Sequence, residues 1–141
     1  MKLFLDTSVL LSATASATGA SREIFRRSKR EGWVLITTPY GIDEVERNLD
    51  FLSQEAAGEW GSLRSGLLVM GDVLTLDLPS LFGKSKDKPI LFGALAWADV
   101  LLTLDEADFG WLMDSTFYGL AVMTPGMFLR GQREAGRLCG E

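Results

Sequence analysis

Five short, largely apolar runs constrain what this chain can fold into: Lys2–Leu5, Trp33–Thr37, Val73–Leu76, Val100–Leu104 and Leu120–Met123. None shows the strict apolar–polar alternation of a strand with one wet face; they read as strands buried on both sides. Stretches of helical character separate them. Thr7–Ala17 reads as a helix interrupted near Thr18-Gly19, and Ser21 as the N-cap of a second that ends at Gly32. Ile42–Leu52, Gln54–Met70, Ile90–Ala98 with Pro89 in its first turn, Phe109–Met113 and Pro125–Arg133 complete the set, and Pro79–Lys86 reads as a loop. Strands alternating with helices predict an α/β fold, a three-layer α/β/α sandwich around a central parallel sheet of four to five strands. With 141 residues and no internal repeat or linker, the expectation is one domain spanning 1–141.

In such sheets ligands bind beyond the carboxyl ends of the strands, so the residues that follow each strand matter most. Asp6 follows the first strand directly and Asp105 follows Val100–Leu104. Glu44 falls early in the helix after the second strand, with Asp43 and Glu46 as neighbours that periodicity does not separate from it. Asp87 precedes the apolar helix that leads to Asp105. Four carboxylates from four separated segments are thereby directed to one end of the sheet. Left alone, such a group is unfavourable, because like charges at short range resist ionisation. A divalent cation reverses the cost: Mg²⁺ and Mn²⁺ take carboxylate oxygens and leave positions for water or phosphate.

Composition narrows the chemistry further. The chain has no histidine and one cysteine, Cys139, so an imidazole base, a Ser-His-Asp triad, a Cys-His pair and a His or multi-thiolate metal site are all excluded. A bound cation that lowers the pKa of water supplies a nucleophile without histidine. The same acids have plainer readings. Asp6 and Asp87 can be helix N-caps, Glu44 can complement a helix dipole, and Asp105 with Glu106 and Asp108 can be an acidic turn.

Met1-Lys2, the apolar stretch to Leu11 and the small residues from Ala13 to Ala17 imitate a signal peptide. Asp6 in the middle of that stretch favours a mature strand instead, and a single cysteine fits a reducing compartment, so a cytoplasmic location is expected. No apolar run is long enough to span a membrane.

Several segments, in order, resemble the PIN-domain nucleases: Phe4-Leu5-Asp6-Thr7-Ser8-Val9-Leu10, then Thr38-Pro39-Tyr40-Gly41-Ile42-Asp43-Glu44-Val45, then Asp87-Lys88-Pro89-Ile90-Leu91. Leu102-Thr103-Leu104-Asp105-Glu106-Ala107-Asp108-Phe109 is similar to the family's Thr-x-Asp segment, and Val122-Met123-Thr124-Pro125-Gly126-Met127-Phe128-Leu129 to its closing strand and helix. Together they cover almost the whole chain. The resemblance implies a PIN-like fold and a Mg²⁺- or Mn²⁺-dependent ribonuclease, often dimeric and often the toxin of a toxin–antitoxin pair. It makes Asp6 and Asp87 leading metal ligands and favours Glu44 over its neighbours. Glu44 and Asp105 complete the acidic set, with Thr103, Ser8 and Asp108 supporting it. The chain departs from the family at Ser8, where Asn is frequent, and the segment from Leu52 to Pro79 matches nothing in it.

With 14 Lys+Arg against 19 Asp+Glu, an acidic protein that holds RNA needs local positive charge. Arg22 and Arg26, on one helix face with Arg30, and Lys84 and Lys86 near Asp87 are the candidates, although a solvated helix face explains the arginines equally well. Trp60, Trp97 and Trp111 read as core or dimer contacts rather than base-stacking platforms. Two other functions remain open: a PIN-like scaffold or RNA- or protein-binding module with a degraded site, and a metal-dependent phosphatase acting on a small molecule.

Overall fold

The computed structural model describes residues 1–73 and 88–140. In chain order the elements are β1 (Lys2–Leu5), α1 (Thr7–Ala15), α2 (Ala20–Glu31), β2 (Val34–Thr37), α3 (Pro39–Asn48), α4 (Gln54–Ser65) and β3 (Leu68–Val69). They continue with α5 (Lys88–Trp97), β4 (Val100–Leu102), α6 (Glu106–Phe109), β5 (Ser115–Phe117), β6 (Leu120–Met123) and α7 (Pro125–Glu134). The strands form one sheet in the order β3-β2-β1-β4-β6-β5. Every pairing is parallel except that of β5 with β6.

Successive side chains of a strand point to opposite faces, and both faces are covered. Leu3 and Leu5 of β1, Leu35 of β2 and Val100 and Leu102 of β4 join Val9 and Leu10 of α1, Ile24 of α2, Val45 of α3, Trp60 of α4 and Phe128 of α7. Phe4, Ile36 and Leu101 lie on the other face with Ile90, Leu91 and Ala94 of α5, Phe109 and Leu112. Two apolar layers around a mostly parallel sheet make this an α/β fold compatible with a three-layer sandwich. Among the described residues, no helix is long and apolar enough to cross a membrane.

The structure differs from the sequence expectations at several places, each with a local cause. The expected helix Gln54–Met70 stops at Ser65, with Gly66 as its C-cap, and Leu68–Val69 pairs with β2 as an edge strand. β5 is an additional strand, joined to β6 by a tight turn in which Tyr118 and Gly119 both have positive φ, 49° and 83°. That is the backbone twist two-residue hairpins require. Ser21 is not an N-cap: α2 begins at Ala20 after Gly19, and Ser21 is buried inside the helix. Gly32 does end α2, in the left-handed conformation. The expected strand Val73–Leu76, apart from Val73, and the expected loop Pro79–Lys86 lie outside the described residues.

The chain runs outward from β1 to β2 and β3, then returns to the opposite side of β1 as β4. The carboxyl ends of β1 and β4 therefore flank the point where the winding reverses, the usual place for a ligand in an open parallel sheet.

Candidate active site

Asp6 leaves the end of β1 as the N-cap of α1, and its backbone N–H donates to Leu102 O of β4 at 3.0 Å. The residue is 6% exposed, and its carboxylate accepts three hydrogen bonds. Oδ1 accepts from Thr7 N at 2.8 Å, while Oδ2 accepts from Ser8 Oγ at 2.9 Å and from Thr103 Oγ1 at 2.7 Å. The two hydroxyls are themselves anchored. Ser8 Oγ accepts from Leu104 N and Thr103 Oγ1 from Asp105 N, both at 3.0 Å. Consecutive amides at the exit of β4 thus reach one oxygen of Asp6 through two hydroxyls. Ser8 supplies a hydrogen bond behind the carboxylate.

Burial pushes the Asp6 carboxyl above the ordinary aspartate range, and the negative charge of Asp105 adds to the rise. Hydrogen bonds from Thr103, Ser8 and Thr7 oppose it. A carboxyl held out of water beside a second acid is a group whose ionised form a cation would favour.

Glu44 sits in the second turn of α3, half-buried, and its Oε1 accepts from Thr7 Oγ1 at 2.8 Å. Its neighbours are directed elsewhere. Asp43 is exposed and paired with Arg47, and Glu46 accepts from Trp60 Nε1 at 3.3 Å. The structure thereby separates Glu44 from Asp43 and Glu46, which periodicity alone does not. Asp105 caps α6 by accepting from Asp108 N at 3.0 Å, and Asp108 is buried.

These groups line one cleft of about 230 Å³, formed by Asp6, Thr7, Ser8, Leu11, Glu44, Ile90, Asp105 and Asp108. Among the described residues, its polar side chains are carboxylates and hydroxyls, the oxygen donor set that suits a hard divalent cation. Asp6 Oδ1 accepts a single hydrogen bond and keeps a second lone pair. Among the described residues, no three Asp, Glu, His or Cys side chains are already grouped as metal ligands. Asp87, Lys84 and Lys86 lie outside the described residues.

The arginines expected to hold substrate are placed elsewhere. Arg22 donates from Nε to Ala13 O at 2.6 Å and from Nη2 to Thr14 O at 3.4 Å, and Arg26 donates from Nη1 to Ala17 O at 2.5 Å. Both serve the C-terminal end of α1 and the turn after it, where free carbonyls and the negative end of the helix dipole favour a cation. Asp6 caps the other end of that nine-residue helix, about 13 Å away at 1.5 Å per residue. Arg22 is therefore a strut between α1 and α2. Arg22→Ala is expected to cost about 1–3 kcal/mol in a urea melt, the range for leaving buried carbonyls unpaired.

Thr7 is the site residue that the sequence reading did not single out. It lies between Asp6 and Ser8 in the chain's first motif, but nothing in the residue order indicates that its hydroxyl reaches α3. Trp60 is buried, Trp97 donates from Nε1 to Gly71 O at 3.0 Å, and Trp111 is half-exposed and packs edge-on against Phe117. No protein-family model, no curated protein and no solved structure matches this chain.

Proposed function

We propose that this chain is a PIN-like, divalent-cation-dependent ribonuclease that hydrolyses RNA phosphodiester bonds with water as nucleophile. The observation that carries the reading is the convergence of Asp6, Glu44, Asp105 and Asp108 on one cleft at the reversal of the sheet winding. Asp6, Glu44 and Asp105, with Asp87, are the residues that would hold Mg²⁺ or Mn²⁺. Such a cation lowers the pKa of water and offsets charge building on the phosphodiester.

The chain's own groups have definable parts in that chemistry. Asp6 is fixed by three donors, so its remaining lone pair points in one constant direction. Ser8 and Thr103 hold the β4 exit, and hence Asp105, against Asp6. With no histidine in the chain, carboxylates and solvent are the groups that accept a proton at neutral pH. The resemblance in sequence extends the proposal to a cytoplasmic homodimer that acts as the toxin of a toxin–antitoxin pair, with an antitoxin protein as partner.

A labelled single-stranded RNA incubated with the protein should be cut in Mn²⁺ and left intact in EDTA. Mn²⁺ should also raise the melting temperature, because a ligand that binds only the folded state stabilises it by mass action. Cleavage undiminished by EDTA would overturn the metal-dependent mechanism. Absence of both cleavage and Mn²⁺ stabilisation would leave the binding-module reading in its place.

A further inference from the structure

Two of the acids in the cleft come from different elements, and a single residue touches both. Thr7 donates its backbone N–H to Asp6 Oδ1 and its hydroxyl to Glu44 Oε1, each at 2.8 Å. Glu44 lies 37 positions further along the chain. An ionised carboxylate only accepts hydrogen bonds, so both contacts use Thr7 as donor. Two carboxylates beside one cleft repel, and a long glutamate side chain has several rotamers with which to move away. The Thr7 hydroxyl is the only side-chain donor to the Glu44 carboxylate among the described residues. Asn48, its other side-chain neighbour through a hydrogen bond, reaches the backbone carbonyl of Glu44 instead.

We infer that Thr7 is a positioning residue that holds the Glu44 carboxylate at a set distance from Asp6 and so establishes the cleft's affinity for a divalent cation. The inference rests on the ribonuclease reading above and assigns Thr7 a part in it. The backbone half of the clip exists for any residue at this place. Only the hydroxyl half is specific to Thr or Ser. Partners that orient a metal ligand are worth about 10- to 100-fold in metal affinity when removed.

The test is Mn²⁺ binding, without RNA, by isothermal titration calorimetry on the full chain. Thr7→Val keeps the shape, the β-branch and the N–H and deletes the hydroxyl. It should weaken Mn²⁺ binding about 10- to 100-fold. Thr7→Ser restores the donor and should recover affinity to within about threefold of the parent, an outcome that a purely steric role for Thr7 would not give. In a Glu44→Gln background, Thr7→Val should add little further loss, because the hydroxyl acts through Glu44. Melting curves in EDTA check that each variant is folded; should Thr7→Val fail to fold, Thr7→Ala carries the same deletion. Thr7→Val binding Mn²⁺ as tightly as the parent, or Thr7→Ser failing to restore affinity, would overturn the inference and leave the ribonuclease reading standing. If the parent itself binds no Mn²⁺, both fall together.

Discussion

Asp6→Asn is expected to reduce Mn²⁺-dependent RNA cleavage by about 10²–10³-fold, the usual cost of removing one fixed electrostatic group from an active site. The reason lies in the three donors around the carboxylate. With the amide oxygen facing Ser8 and Thr103, the amide nitrogen meets the Thr7 N–H, donor against donor. With the amide reversed, the nitrogen meets both hydroxyls. The first orientation loses the Thr7 contact and the second disturbs the relay from the β4 exit, and both remove the charge that a cation would neutralise. Single-turnover cleavage of a labelled RNA reads the loss. Cutting at the parent rate would remove Asp6 from the chemistry.

The same substitution has a second consequence, for the metal-free protein. Burial raises the folded-state pKa of Asp6 above its unfolded value near 3.8. Below that value both states carry the proton and the buried group costs no ionisation. As pH rises toward the folded pKa, the unfolded chain ionises first, so stability is lost through that window and the full penalty persists above it. Urea melts in EDTA should therefore show the parent losing stability relative to Asp6→Asn as pH is raised from about 4. A difference that stays constant with pH would contradict the assigned shift.

The largest effect on stability is expected where α5 crosses the sheet. Phe4 is fully buried in β1, and Gly93 of α5 lies against its ring. A Cβ added at Gly93 would come within 3.1 Å and 3.2 Å of Phe4 ring carbons and 3.4 Å of Thr38 Cγ2. Phe4→Ala should cost about 3–5 kcal/mol through the cavity it opens. Gly93→Ala alone gains about 1 kcal/mol of helix propensity but forces overpacking worth about 1–3 kcal/mol, for a small net loss. In the Phe4→Ala background the sign should reverse, because the added methyl enters the vacated space and the propensity gain remains. A double-mutant cycle in urea measures this coupling. Strictly additive losses would show that α5 lifts away instead of packing on Phe4.

How far the sequence reveals such detail differs from element to element. β1, β2, β4 and β6 are legible because their residues are apolar on both faces. β3 is only Leu68–Val69 and directly follows helix-like residues, so local pattern absorbs it into α4. β5 is Ser-Thr-Phe, and its turn carries Tyr118 where Asn or Asp normally announces a hairpin. In the site, Asp6 is legible because it directly follows β1, and Asp105 because it lies three residues past the end of β4. Glu44 is not separable from Asp43 and Glu46 until α3 is seen against α1. The arginines of α2 recur at helical spacing whether they face solvent, hold phosphate or brace carbonyls. Only tertiary contact shows Arg22 to be a brace.

The bond between Thr103 and Asp6 joins residues 97 positions apart, and β1 lies between partners from both halves of the chain. During synthesis the first acid would emerge early, while its hydroxyl partner and Asp105 follow only after most of the chain. Contacts this distant in sequence raise contact order and slow folding. The emerging polypeptide thus carries no assembled cleft until β4 docks beside β1, so the grouping of its acids waits on the late part of the chain.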